Sequence, residues 1–144
     1  TFGLALHPST GGLFGADNGA AANDELNFLQ SGTNMKWGGN PQGANVRDPL
    51  RTYPSVIVPT GLCWHSGTGW GAAYENNLFM VSYDQHSIRR FVMSGQSFTD
   101  IDEETGFAEF ADFSGQNHPL DVCMAEDGSL YVSTFSGIYR ISKL

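Results

Sequence analysis

The chain repeats itself, and this limits its possible folds more than any other feature. "TFGLALHPSTGGLFGAD" begins at Thr1. "PTGLCWHSGTG" begins at Pro59 and is followed, after a short insertion, by "NNLFMVSYD". "PLDVCMAEDGSLYVST" begins at Pro119. Aligning the three puts Leu4, Leu62 and Val122 at one position, with spacings of 58 and 60 residues, and Ala5, Cys63 and Cys123 at the next. Each copy reads as an apolar strand, a turn and a second apolar strand. The turn chemistry comes from "TGG" at 10–12 and "EDGS" at 126–129. A third strand follows in each copy, at 24–29, 87–93 and 137–142. In the second copy, "FAEFADF" at 107–113 reads as a fourth strand or, from its aromatic spacing of three, as a helical turn.

Repeated antiparallel units of three or four strands define a β-propeller. The expected fold is therefore all-β: a single partial β-propeller of about two and a half to three antiparallel blades, with repeats at about 1–58, 59–116 and 117–144. The spacing exceeds the roughly 40–45 residues of the commonest propeller repeat. The surplus at 32–55 and 94–106 is rich in Gly, Asn, Pro and Ser and reads as loop. So few blades cannot close a ring, because propellers hold about four to eight. Open blades expose sheet edges that pair with other chains. The remaining blades are expected from another chain, from a missing part of the same polypeptide or from self-association.

Composition narrows the partners. The net charge of -8 repels phosphate backbones and anionic lipid, so nucleic acid is not an expected partner. No apolar run approaches the roughly 20 residues of a membrane span. Eighteen Gly argue against long helices, since Gly costs about 1 kcal/mol at an interior helical position. Cys63 and Cys123 lack metal or redox spacing and read as buried thiols in inner strands. His7 and His65 fall at matching repeat positions and read as fold-level residues. His86 and His118 could share a pocket with Asp84 as a metal site or acid–base pair. The sequence contains no GxSxG, HExxH, P-loop or CxxC motif.

Several ordered motifs carry a resemblance. "GLALHP" with "LFGADNG" and "DELN", then "PTGLCWHSG" with "NNLFMVSY", then "HPLDVCMAEDGSLYVST" and "GIYRI" resemble the soluble sugar dehydrogenases that use pyrroloquinoline quinone (PQQ). These are the glucose/sorbosone dehydrogenase group of six-bladed propellers. The resemblance covers most of the chain and matches the later half of such a ring. It implies oxidation of an aldose sugar with PQQ and Ca²⁺. It also implies a catalytic general-base histidine on an earlier blade, with no counterpart here, and a location outside the cytoplasm, either secreted, extracellular or periplasmic. The alternative is a catalytically silent propeller acting as a binding or structural subunit.

The resemblance also implies positions. The Gly-Pro pair that offers carbonyls to Ca²⁺ falls on Gly19 and Ala20, next to Asn18. A structural Ca²⁺ near a matching Glu falls on Glu25, with a loop reading Asn34, Met35, Lys36 and Trp37. A Lys of the middle blade falls on about Asp84, an anion facing a would-be tricarboxylate. An Arg before the third repeat falls on His118, which carries full charge only near or below about pH 6.5. A second Arg falls on Leu120. The expected cofactor contacts are thus His118, Asp84, His86 and Asn18, and the expected metal contacts are Gly19, Ala20 and Glu25. Arg89 and Arg90 should point to opposite faces of their strand.

Overall fold

The structure, a computed structural model, describes residues 1–36, 42–67, 69–109 and 117–142. It contains three antiparallel sheets, each an in-order meander. The first holds β1 (Gly3–Leu6), β2 (Leu13–Asp17), β3 (Asp24–Leu29) and β4 (Arg51–Tyr53). The second holds β5 (Pro59–Trp64), β6 (Asn77–Ser82), β7 (Ser87–Ser94) and β8 (Asp100–Glu109), with a 3₁₀ turn at Ala72–Tyr74 in the insertion between β5 and β6. The third holds β9 (Pro119–Met124), β10 (Leu130–Thr134) and β11 (Ile138–Ile141). This is the blade arrangement of a partial β-propeller.

The first strands of the three blades lie side by side. A methyl group added at Gly3 would stand 2.8 Å from the carbonyl oxygen of Thr60 and 3.1 Å from Gly61 Cα. One added at Gly61 would stand 2.7 Å from Asp121 Cα. Gly3, Gly61 and Asp121 each precede a member of the aligned trio Leu4, Leu62 and Val122. The sequence repeat is therefore the physical register between blades.

Side chains alternate between the two faces of each strand, and each inter-blade layer buries one set. Phe14, Leu26, Leu62, Trp64, Met80 and Phe91 fill the layer between the first and second blades. Cys63, Phe79, Val81, Ile88, Val122 and Leu130 fill the next. β6 is sandwiched between the two layers and all six of its residues are buried, which explains its nearly continuous apolar run. At about 25 cal/mol per Å² of apolar area, these layers are the main stabilising term. The outward faces of the end blades are open. Leu4 is 58% exposed, Leu6 65% and Ile138 74%.

That openness corrects one expectation. Cys63 is buried but Cys123 is exposed. Both point away from the preceding blade; the third blade covers Cys63, and no described sheet covers Cys123. Two loop expectations are also corrected. β4 lies within 32–55, and β8 occupies most of 94–106 before reaching Phe107. Both are outermost strands with few apolar residues, because they carry one hydrogen-bonded neighbour and a wet edge. The helical alternative at 107–113 fails over Phe107–Glu109, which is strand. Residues 110–113, like Trp37, lie outside the described residues.

A polar clamp ties the outer strands together. Glu104 of β8 accepts from Arg89 Nη1 at 2.7 Å and Tyr53 Oη at 2.8 Å and pairs by charge with Arg51 Nε at 2.8 Å, joining β4 of one blade to β7 and β8 of the next. Burial, reinforced by the Glu104 charge, pushes the Tyr53 phenol far above its ordinary range. Arg90 points the other way. Its guanidinium lies 4.3 Å over the Tyr74 ring and bonds Asn77 and the Ala73 carbonyl.

Candidate functional site

At one end of the blades, the loops after each second strand meet the segments leading into each first strand. Asp24 organises this end. It is 1% exposed. Its Oδ1 accepts the Gly19 N–H at 2.9 Å, and its Oδ2 accepts the N–H groups of Ile57 at 2.7 Å and Val58 at 2.8 Å. The same two residues face the next loop. The Ile57 carbonyl accepts from Ser82 Oγ at 2.6 Å, and the Val58 carbonyl accepts the Tyr83 N–H at 2.9 Å. Val58 holds φ 51°, an uncommon conformation for a β-branched residue, just before Pro59. The chain of bonds overdetermines it.

Tyr83 continues the chain into the third blade. His118 Nδ1 donates to the Tyr83 carbonyl at 2.9 Å, which makes Nδ1 the protonated nitrogen. The two rings stack at 4.0 Å with 9° between planes. The His86 ring lies 4.2 Å beyond, and its buried Nδ1 has no hydrogen-bond partner. Asp84 is exposed in the turn between β6 and β7.

A depression of about 530 Å³ opens at the tops of the inner strands. Phe2, Leu4, Val58 and Leu120 give it apolar walls, Tyr83 an aromatic one, and Asn18, Thr60 and Asp121 polar groups. Of the expected cofactor contacts, Asn18 lines it. His118 packs behind Tyr83, with His86 behind His118, and Asp84 stands outside the lining. Tyr83, Thr60 and Asp24 escaped the sequence reading. Tyr83 was legible as an aromatic directly after a second strand, whereas Asp24 stood beside the more conspicuous Glu25.

Gly19, Ala20 and Glu25 share a second depression, about 600 Å³, with Lys36, Asp48 and Thr52. Gly19 must be glycine, since a methyl group there would sit 1.8 Å from the Ala22 carbonyl oxygen. Glu25 Oε2 and Asp17 Oδ2 both accept from the buried amide of Asn27, at 3.2 and 2.9 Å. Burial and the Asp17 charge raise the Glu25 carboxyl above its ordinary value, against the pull of the Asn27 hydrogen bond. The Lys36 ammonium pairs with Asp48.

Both implied groups can be tested against these residues. Ca²⁺ takes six to eight oxygens. Glu25 and the carbonyls of Gly19 and Ala20 are suitable donor types, but among the described residues no three acidic, His or Cys side chains converge to hold a metal. A planar tricarboxylate needs cations, yet no described residue lining the 530 Å³ depression is positively charged, and Asp121 is an anion. Taken alone, this chain does not fit either group.

The fold is that of a partial propeller, and the mouth depression is assembled from the tops of successive blades. Residues 1–138 match the glucose/sorbosone dehydrogenase family, and the chain belongs to it. No curated protein sequence matches it. Among solved structures, a glucose dehydrogenase superposes with a TM-score of 0.83 at 22% identity, over 99% of this chain and 43% of that one. The soluble aldose sugar dehydrogenase of Escherichia coli in its apo form gives 0.73 at 20% identity, over 96% and 42%. The PQQ-bound aldose sugar dehydrogenase of Streptomyces coelicolor gives 0.69 at 21%, over 90% and 35%. At these identities the likeness carries the fold. The chain spans less than half the length of these solved relatives. Among the described residues, no helix is long and apolar enough to cross a membrane.

Proposed function

We propose that these blades belong to a complete propeller that oxidises an aldose with PQQ and Ca²⁺. The observation that carries this reading is the family match across residues 1–138. One solved relative of the same fold is PQQ-bound. In this reading the further blades supply the cations that neutralise the quinone carboxylates and complete the Ca²⁺ shell. This chain contributes Asn18 and the Tyr83 wall to the mouth, and Gly19, Ala20 and Glu25 as oxygen donors. The remaining blades come from the rest of the same polypeptide or from another chain, and the protein works outside the cytoplasm.

One observation favours a second reading, a catalytically silent propeller used for binding or as a structural subunit of a larger assembly. Leu120 and the exposed Asp84 stand where the resemblance implies cations, and His118 is committed to Tyr83. One titration separates the readings. The complete protein is mixed with PQQ and Ca²⁺, the quinone absorbance is followed, and dye reduction is measured on adding aldoses. Saturable quinone binding with aldose-dependent reduction supports the oxidase. No quinone binding by the intact propeller overturns it in favour of the silent subunit.

A further inference from the structure

We infer that the stacked imidazoles of His86 and His118 form an acid-released latch, which holds the turn between β6 and β7 against the third blade at the rim of the mouth. The inference stands whether or not a quinone occupies the mouth.

Three observations carry it. First, the stack joins two blades. The rings of Tyr83, His118 and His86 lie in series, with centroids 4.0 and 4.2 Å apart. Tyr83 and His86 belong to the turn of the second blade, and His118 to the segment entering β9 of the third. Second, His86 is poised to leave. Its φ of 49° is left-handed, uncommon for a residue that carries a Cβ. Its Nδ1 is buried without a hydrogen-bond partner. Stacking on His118 offsets these costs while both rings are neutral. A charged imidazole has two N–H donors to satisfy, and a buried donor without an acceptor is costlier still when it is charged. Third, His118 has reason to stay. Its Nδ1–H bond to the Tyr83 carbonyl survives protonation at the other nitrogen, and the charged ring then lies over the Tyr83 face as a cation–π pair. Two charged imidazoles 4.2 Å apart repel each other. As pH falls through the ordinary histidine range near 6.5, His86 therefore swings out and His118 remains. The turn at 84–86 lifts from the third blade, and the Tyr83 wall keeps its place.

The charged and titratable groups around the pair are few. The turn carries Asp84, which is exposed. β7 carries Arg89, bonded to Gln85 of the turn and to Glu104 of β8. β8 also carries Glu109, opposite Ser87 in the register. β9 carries Asp121, whose Oδ1 accepts the Val122 N–H, and β11 carries Tyr139, whose hydroxyl accepts from Asn117. Neither Asp84 nor Asp121 is hydrogen-bonded to either imidazole.

The test is proton NMR of the complete protein with labelled histidine and tyrosine rings, reading through-space contacts at pH 7.5 and pH 5. The His86–His118 contact should be present at pH 7.5 and lost at pH 5. The His118–Tyr83 contact should be present at both. In His86→Phe, whose ring stacks but takes no proton, the contact with His118 should persist at both. A double-mutant cycle with His86→Ala and His118→Ala in urea reads the same coupling as an energy. It cancels the acid sensitivity of the other histidines, which all four proteins share. The coupling should weaken at pH 5 by about fivefold or more in its equilibrium constant, the factor for one unit-charge contact at about 4 Å in water. If His118→Ala fails to fold, the ring contacts of the wild type and of His86→Phe decide. A His86–His118 contact that persists at pH 5, a loss of the His118–Tyr83 contact with it, the same loss in His86→Phe, or equal coupling at the two pH values would each overturn the inference.

Discussion

The Asp24 carboxylate accepts the Val58 N–H at 2.8 Å across two blades, and its second oxygen holds Gly19 of its own blade. One buried side chain thus fixes the loop after one second strand and the segment before the next first strand. Asp24→Asn keeps the shape but turns one acceptor into a donor facing N–H groups. A buried group left without its partner costs about 1–3 kcal/mol, so Asp24→Asn should destabilise by about 2–4 kcal/mol in urea unfolding of the complete protein. A loss below about 0.5 kcal/mol would mean that the loops hold themselves.

Glu104 plays the corresponding part at the outer edge. Its side chain is 10% exposed and meets Arg89, itself 22% exposed, at 2.7 Å. Arg51 is 54% exposed and contributes little. Removing one partner of a buried pair strands the other, at about 3–5 kcal/mol for full burial. Glu104→Ala should therefore cost about 2–4 kcal/mol, and adding Arg89→Ala should cost much less than a second independent loss. Additive losses in that double-mutant cycle would show that the pair is not coupled.

The inner strands are close-packed at Gly61. A methyl group there would meet Asp121 Oδ1 at 2.3 Å and Asp121 Cα at 2.7 Å. The obstruction includes backbone, so the strands must separate. Gly61→Ala should lower stability by about 1–3 kcal/mol, the usual range for overpacking. Gly106→Ala is the control, since nothing lies within 4 Å of the added methyl. Equal midpoints for the two variants would refute the close approach.

The inner blade structure was legible in sequence because it rests on short-range pattern. Gly3, Gly61 and Asp121 abut just where the repeat aligns them, and β6 reads as buried because both its faces are covered. The outer strands were not legible. β8 reads "DIDEETGFAE", five of its ten residues acidic, and its strand character comes from pairing with β7. The site was half legible. Asn18 announces a turn, and the turn reaches the mouth. His118 looks like a free loop histidine, and only the geometry shows it bonded to and stacked on Tyr83, a residue 35 positions earlier.

His7 and His65, 58 residues apart in sequence and 1% and 0% exposed, make the fold acid-sensitive. His7 stacks on Phe98 at 4.1 Å and meets Trp64 edge-on at 4.5 Å. His65 lies 5.1 Å from Trp70, near the backbone of Tyr74 and Gly128, without closing a well-formed hydrogen bond to either. Burial lowers both pKa values from the ordinary 6.5. The unfolded chain therefore takes up protons below about pH 6.5 that the folded blades refuse. Stability is full above that pH and falls as pH drops through the window between 6.5 and the lowered native values. The slope from each histidine is at most about 1.4 kcal/mol per pH unit, reached where the unfolded chain binds a whole proton more than the folded blades. Glu25 acts in the opposite sense. Its raised carboxyl lets the folded state bind a proton more readily than the unfolded chain does, from its ordinary 4.5 upward. Urea midpoints measured from pH 8 to pH 5 should fall steeply below 6.5. In His65→Phe, which retains an aromatic ring but no titrating nitrogen, the slope should be about half as steep. An unchanged slope in that variant would show that His65 is protonated in the folded blades.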